Sequence, residues 1–355
     1  GGVFDLFYKI KSMHEAGILI HLHCFEYGRG PPQELERYCL TIHYYERKSF
    51  IKRFSLRLPF IVSSRANKGL LDNLQKDDYP VLLEGIHCTY FLGSGKLNNR
   101  KILVRLHNVE CDYYEELSKT TYNIFEKLYF KLESRLLEKY ENRIANKAML
   151  ITVSEKDKSI FKERFGAGNI EYLPVFLPFT KVGSATGLGN FCLYHGNLSV
   201  PENEKAVIWL IKDVFKKIDT PFVIAGKNPS KYLDTLAHSN DNICLVANPS
   251  EIEMNELIKK AQINLSPSFN RTGIKIKLLH ALFNGRFIIT NPVTVEGTGL
   301  AHLCEVADNA SDYIKLIMEL FHQPFTELEI DKRKDVLEYV YNNKVNTHQL
   351  IKWIW

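Results

Sequence analysis

The sequence predicts an α/β protein of two doubly wound, Rossmann-like domains. Residues 263–289 read as one complete unit. A short apolar strand (263–265) enters a Ser/Pro/Asn loop, a helix is expected over 274–283, Asn284-Gly285 stops it, and Phe287-Ile288-Ile289 form the next strand. The same alternation of short apolar runs and amphipathic stretches repeats from 191 to 261. At 355 residues the chain is long enough for two cores.

Taken in order, 3–16 reads as a helix, with Phe4, Phe7, Tyr8 and Met13 able to share an inner face, and 18–25 reads as a strand. Another strand is expected at 38–45, a polar helix or turn at 69–75, and buried strands at 80–88 and 101–106. A long charged helix (121–145), a strand (149–153) and a helix from Ser154 to about Phe165-Gly166 follow. The Gly/Ser-rich stretch 181–190 reads as a linker. Residues 1–180 are thus the N-terminal domain, 191–325 the C-terminal domain and 326–355 a helical tail ending in Trp353-Ile354-Trp355. Residues 294–300 form a glycine-rich loop beyond a strand end, with amides available to an anion.

The bulk composition, 45% hydrophobic and 25% charged, is that of an ordinary soluble chain. No apolar run reaches the length of a membrane span, and no signal peptide is visible. Seven scattered cysteines show no metal-binding spacing and are expected to be mostly buried free thiols of a reducing cytoplasm. The net charge of +5 lies before residue 181, where 27 Lys/Arg face 22 Asp/Glu; the remainder carries 19 of each. Residues 47–68 hold Arg47, Lys48, Lys52, Arg53, Arg57, Arg65 and Lys68 among apolar and aromatic residues, with no acid. Such a segment suits an anionic membrane surface, or a solvated helix packed on its own domain. Nucleic acid as a partner lacks any accompanying motif.

Two stretches carry candidate chemistry. On the 274–283 helix, Ile274, Leu278, Leu279 and Leu282 should face the sheet, while Gly273, Lys277, His280 and Asn284 form a second, polar stripe. Thr272 is the expected N-cap. With Arg271, Lys275 and Lys277 nearby, the free amides of a helix start suit an anion. An ordinary amphipathic helix with a solvated basic face would show the same stripe. The second stretch, His107-Asn108-Val109-Glu110, directly follows a strand, and ligands of open α/β sheets bind at the carboxyl ends of strands. A His and Asn capping the next helix would read the same way. Lys227 also follows a strand, as a phosphate contact or an exposed turn lysine.

The segment 264–300 resembles the donor-binding segment of GT-B fold glycosyltransferases, in the retaining family 4 group. Pro267-Ser268, Gly273, Ala281, Gly285 and the strand after it match. The family's two motif glutamates do not; their positions hold Thr272 and His280. A sub-pattern similar to T-G-I-K-x-K-L-L-x-A-L, found in transferases of bacterial surface-polysaccharide clusters, fits better. The resemblance implies two Rossmann-like domains facing a cleft, with the C-terminal helix crossing back to the N-terminal domain. It implies transfer of a hexose-type sugar from a UDP- or GDP-linked donor to a saccharide or lipid-linked saccharide, with retention of configuration. No metal and no cofactor are expected, and the setting is cytoplasmic or peripheral on the inner membrane face. Roles follow residue by residue. His107 contacts the transferred sugar, with Asn108 and Glu110 on the acceptor side. Arg271, Thr272, Gly273, Ile274, Lys275, Lys277 and Lys227 hold the donor diphosphate. Asn197 stands where the family has a diphosphate-binding Arg. His280 and Val246 lie at the ribose and base. Gly1 and Gly2 are expected to be the remnant of a glycine-rich loop after a first strand, so that the native chain starts earlier; a purification scar is the other reading. A binding subunit without turnover and, less in keeping with the residues, a sugar epimerase are the competing functions.

Overall fold

The computed structural model describes residues 2–26, 33–49, 54–97, 100–121 and 123–355. The chain divides into two compact units: Gly1–Pro178 with Tyr341–Trp355, and Phe179–Val340.

The first unit contains a parallel pair, β1 (His21–Phe25) and β2 (Thr41–Tyr45), and a four-stranded parallel sheet. That sheet runs in chain order: β3 (Val81–Glu84), β4 (Ile102–Leu106), β5 (Met149–Thr152) and β6 (Ile170–Tyr172). Every residue of β4 is buried, Arg105 included, as expected of a parallel strand covered on both faces. The helix Gly2–Glu15 starts the unit, and the tail helix Asn343–Ile354 packs against it. Ser12 and Thr347 share a 2.7 Å hydroxyl hydrogen bond. Leu350 and Ile354 enter one apolar cluster with Met13, Leu103, Ile151 and Phe176. Trp353 packs partly on that cluster, while Trp355 is exposed.

Between β4 and β5 the chain forms two helices where one was expected: Glu110–Thr120 and the longer Ile124–Ile144. Asn123 separates them by accepting the amides of Phe125 and Glu126, which starts the second helix. Glu141 of the second helix caps the first. Its carboxylate accepts Glu110 N (2.8 Å) and Cys111 N (3.2 Å), two amides that a helix start leaves free.

The second unit is a six-stranded all-parallel sheet: β7 (Cys192–Asn197), β8 (Phe222–Lys227), β9 (Ile243–Ala247), β10 (Ile263–Ser266), β11 (Phe287–Thr290) and β12 (Glu305–Val306). The spatial order is β12-β11-β10-β7-β8-β9. The chain winds outward from β7 to β9, returns to β10 beside β7, and winds outward the other way. The β7/β10 neighbourhood is therefore the topological switch point, where the carboxyl ends of the strands open a crevice. Residues 181–190 are tied into this unit: Gly187 pairs with Phe325, and Gly183 N donates to Phe283 O at 2.7 Å. A side chain on Gly189 would strike the backbone of residues 260–262.

Three further expectations change. The helix after β10 starts at Ile276 and runs to Asn284, so Thr272 is not its N-cap; Lys275 holds that place without a side-chain cap. Gly273 adopts φ +68°, a left-handed turn that keeps the chain out of the helix for two more residues. Residues 294–300 are not all loop, because Pro292–Val295 forms a helical turn and Thr294 is buried. The cysteines are free but mostly not buried: Cys111 and Cys192 are, and Cys244 on the edge strand β9 is exposed.

Candidate functional site

The residues singled out fall into two clusters, one in each unit. The C-terminal cluster sits at the β7/β10 switch point. β7 ends in Gly196-Asn197 and β10 runs into Pro267-Ser268. Lys277, on the first turn of the Ile276–Asn284 helix, reaches back between them. Its Nζ donates to the Tyr194 hydroxyl (2.9 Å) and Asn203 Oδ1 (3.3 Å), approaches Pro267 O (3.5 Å), and lies 4.5 Å from the Tyr194 ring centre. Tyr194 in turn donates to Asn203 Oδ1 at 3.1 Å. Burial, helped by the neighbouring Lys275, pulls the Lys277 ammonium down to about 7, while Glu202 works the other way. A half-buried cation held near its titration point, with only neutral oxygens bonded to it among the described residues, is a group ready to take an anion.

The loop before the helix is internally braced. Asn270 Oδ1 accepts both the amide (2.8 Å) and the hydroxyl (2.7 Å) of Thr272, and Asn270 donates to Glu202. Lys275 Nζ donates to Thr272 O at 2.6 Å. Arg271 is exposed, and Gly273 and Ile274 are half-buried beside it. Asn197 lies opposite Lys227 in the β7–β8 register, both exposed at the carboxyl edge. A Cβ on the neighbouring Gly226 would fall 2.0 Å from Gly196 O, so this edge requires glycine.

His280 and Val246 lie farther along. His280 Nε2 donates to Asn255 Oδ1 at 2.6 Å, and its ring stacks on Phe179 at 4.6 Å. Burial lowers it to about 4, so it is neutral near pH 7. His195, 5.6 Å away ring to ring, is likewise pushed down by burial, then by His280 and Lys277. Val246 packs against Leu193, Ala225 and Ile258.

The N-terminal cluster is built on the carboxyl ends of β3 and β4. His107 Nε2 is 3.3 Å from Glu84 Oε2, and its Nδ1 is 3.9 Å from Asp5 Oδ2. Arg105 grips Asp5 with two hydrogen bonds of 2.8 and 3.0 Å, and the Phe176 amide adds a third of 2.7 Å. Lys9 bridges Glu84 (2.5 Å) and Asp5 (3.6 Å). Burial opposes ionisation of both carboxyls, but the cations win: Asp5 is held well below the usual carboxylate range by Arg105 and Lys9, and Glu84 falls to about 2 through Lys9 and His107. Asp5, Glu84 and His107 come within metal-ligating reach of one another, yet Lys9 and Arg105 already meet the two negative charges.

Gly2 lies over the His107 ring, where an added Cβ would be 3.7 Å away; Gly1 is outside the described residues. Asn108 donates to Glu110 Oε1 at 3.3 Å, and burial raises the Glu110 carboxyl. Sequence reasoning missed Tyr194, Asn203 and Glu202 around Lys277, and Asp5, Lys9 and Glu84 around His107. The one signal available was a polar or charged residue inside an otherwise apolar run, as at Tyr194 and Glu84.

Residues 189–323 match the family described as Glycosyl transferases group 1. An uncharacterized 44.6 kDa protein in the cps region of Klebsiella pneumoniae is 28% identical over 323 residues, which is 85% of this chain and 81% of that protein. Among solved structures, Anabaena Alr3699/HepE in complex with UDP and glucose superposes with a TM-score of 0.64 at 12% identity, over 99% of this chain and 95% of that one. TarM superposes with a TM-score of 0.58 at 12% identity, over 80% of this chain; the chain spans only 57% of TarM's length. The fold is that of the GT-B proteins, and within it residues 189–323 are similar to the Glycosyl transferases group 1 family.

Proposed function

We propose that the chain transfers a hexose-type sugar from a UDP- or GDP-linked donor to a saccharide or lipid-linked saccharide, with retention and without a metal. The observation that carries this reading is Lys277, a half-buried ammonium at the β7/β10 switch point bonded, among the described residues, only to neutral oxygens. A diphosphate leaving group develops charge as the sugar departs and needs fixed positive groups. Lys277 meets it first, with Lys275, Lys227, Arg271 and the amides of Gly273 and Ile274 around it and Asn197 at the strand edge. His280 and Val246 serve the ribose and base. In front-face transfer the anomeric carbon's bond to phosphate oxygen breaks, the acceptor oxygen bonds to that carbon, and the acceptor's proton passes to the departing phosphate. His107 then orients the sugar and needs to move no proton, while Asn108 and Glu110 serve the acceptor. The solved relative with UDP and glucose bound supports a nucleotide-sugar donor, and the relative from a cps region supports a surface polysaccharide as product.

The test is a thermal-shift and calorimetric screen of UDP, GDP and their sugars in EDTA, followed by acceptor-dependent release of the nucleotide. Selective binding of one nucleotide and turnover that survives EDTA are expected. No binding of any nucleotide sinks the reading. A second outcome has its own structural motive: Thr272 and His280 replace the motif glutamates, and His280 is neutral and engaged by Asn255. Donor binding without turnover would favour a binding subunit. For residues 47–68 a membrane role is part of the proposal, although residues 50–53 lie outside the described ones and Arg65 is buried.

A further inference from the structure

Three histidines share one face of the β1–β2 pair. His21 and His23 are two residues apart on β1, so their side chains leave the same side of the strand, about 6.6 Å apart along it. His43 stands directly opposite His23 in the parallel register, on a strand about 4.8 Å away. His21 and His43 are exposed and His23 is half-buried. The ring centres of His23 and His43 are 5.1 Å apart, with the rings nearly parallel. The ring nitrogens are already sorted. Nδ1 of His21 meets the Thr41 hydroxyl, and Nδ1 of His23 the Tyr45 hydroxyl, each at 2.7 Å. The Asn73 side-chain amide donates to the same Tyr45 oxygen at 2.8 Å and holds it in place. Among the described residues no hydrogen bond reaches Nε2 of His21 or His23, or either nitrogen of His43. An imidazole with Nδ1 engaged by an outer partner and Nε2 open is how a protein presents a metal-ligating histidine.

We propose that His21, His23 and His43 form a binding site for a divalent transition-metal ion of the zinc class, closing across β1 and β2. The ligand chemistry selects the ion: imidazole nitrogen suits Zn²⁺, Cu²⁺ and Ni²⁺, whereas Mg²⁺ and Ca²⁺ call for oxygen. Zn–N bonds of about 2.0–2.1 Å place two nitrogens of a tetrahedral ion about 3.3 Å apart. The rings must therefore tilt their outer edges toward one another, and His43 has no hydrogen bond to break in doing so. The ion's role is mechanical. Among the described residues β1 and β2 form a sheet of only two strands, which is marginal alone, and an ion bound to both cross-links them. Asp5, Glu84 and His107, whose possible ligand atoms already lie within 4.8 Å of one another, are a poorer metal site because Lys9 and Arg105 meet their charges. The inference does not depend on the donor site, and sugar transfer asks nothing of it.

The test uses the untagged full chain, stripped with EDTA and dialysed, then titrated with Zn²⁺ by calorimetry and scanned for thermal unfolding. One Zn²⁺ should bind per chain, and Zn²⁺ at about a hundredfold over Kd should raise Tm by about 3–5 °C. Mg²⁺ at the same concentration should leave Tm unchanged. His21→Gln, His23→Gln and His43→Gln should each weaken Zn²⁺ binding at least about tenfold, and Thr41→Val, which removes the outer partner of His21, by about tenfold. Circular dichroism checks that the variants fold; His21 and His43 are exposed, so those two decide the matter even if His23→Gln does not fold. Co²⁺ in place of Zn²⁺ should give visible d–d bands without the thiolate charge-transfer absorption that cysteine ligands produce. Absence of Zn²⁺ binding, histidine variants that bind like wild type, or a thiolate band overturns the proposal.

Discussion

The Lys277 ammonium donates to the Tyr194 hydroxyl at 2.9 Å, across 83 residues of sequence, and no carboxylate pairs with it among the described residues. Burial leaves its titration point near 7, far below the 10.5 of a free lysine. A bound diphosphate would favour the charged form. Above pH 7 the free protein must therefore take up a proton when it binds the nucleotide. Affinity should be highest below pH 7 and fall by about tenfold between pH 7 and 8.5. Calorimetry in two buffers of different ionisation enthalpy reads the proton directly. A flat profile would remove Lys277 from the diphosphate site.

The same burial makes Lys277 costly to the fold. Lys277→Met keeps the aliphatic stem and removes the charge, so it should raise thermal stability by about 1 kcal/mol while weakening nucleotide binding by more than about tenfold. Tyr194→Phe removes the acceptor hydroxyl but leaves the ring, and should lower stability by about 1 kcal/mol. Denaturant midpoints beside binding constants check both; a Lys277→Met protein that binds normally contradicts the proposal.

How far such a site is legible in one sequence depends on range. Of the expected core stripe Ile274, Leu278, Leu279 and Leu282, the three leucines were readable, because burial on a helix repeats every three or four residues, and all three are buried, whereas Ile274 lies before the helix and is half-buried. The helix start was not, because Thr272 has the chemistry of a cap but Gly273 turns left-handed after it. The partners of Lys277 were not readable either. Tyr194 and Asn203 reach it only because β10 returns to pair with β7, an adjacency that strand order decides and local pattern does not. Likewise His107 stands out as a histidine after a strand, whereas Asp5 and Glu84 meet it from another helix and another strand.

Glu84 is the partner that sets the His107 ring, through the 3.3 Å approach to Nε2. Glu84→Gln should leave Lys9 short of a counter-charge and cost about 3 kcal/mol. Adding Lys9→Met should restore most of that stability. If Glu84 also orients His107 for the sugar, kcat stays low in the double variant although the fold has recovered. Urea unfolding and turnover measured on the same proteins separate the two effects; recovery of both assigns Glu84 a structural role only.

Glu141 tests the opposite sign. Burial raises its carboxyl to about 8, against the pull of the Cys111 and Glu110 groups it accepts from. A folded state that holds a proton which the unfolded chain releases near pH 4.5 loses stability as pH rises between those two values. Glu141→Gln cannot titrate, keeps an oxygen for one helix-start amide, and should therefore gain on the wild type steadily from pH 5 to pH 8. Glu141→Ala, which leaves the start of the Glu110–Thr120 helix uncapped, should instead cost about 1–2 kcal/mol at every pH. Thermal unfolding across that range distinguishes them. A wild type that is as stable relative to Glu141→Gln at pH 8 as at pH 5 would mean the carboxylate stays charged, held by the two amides.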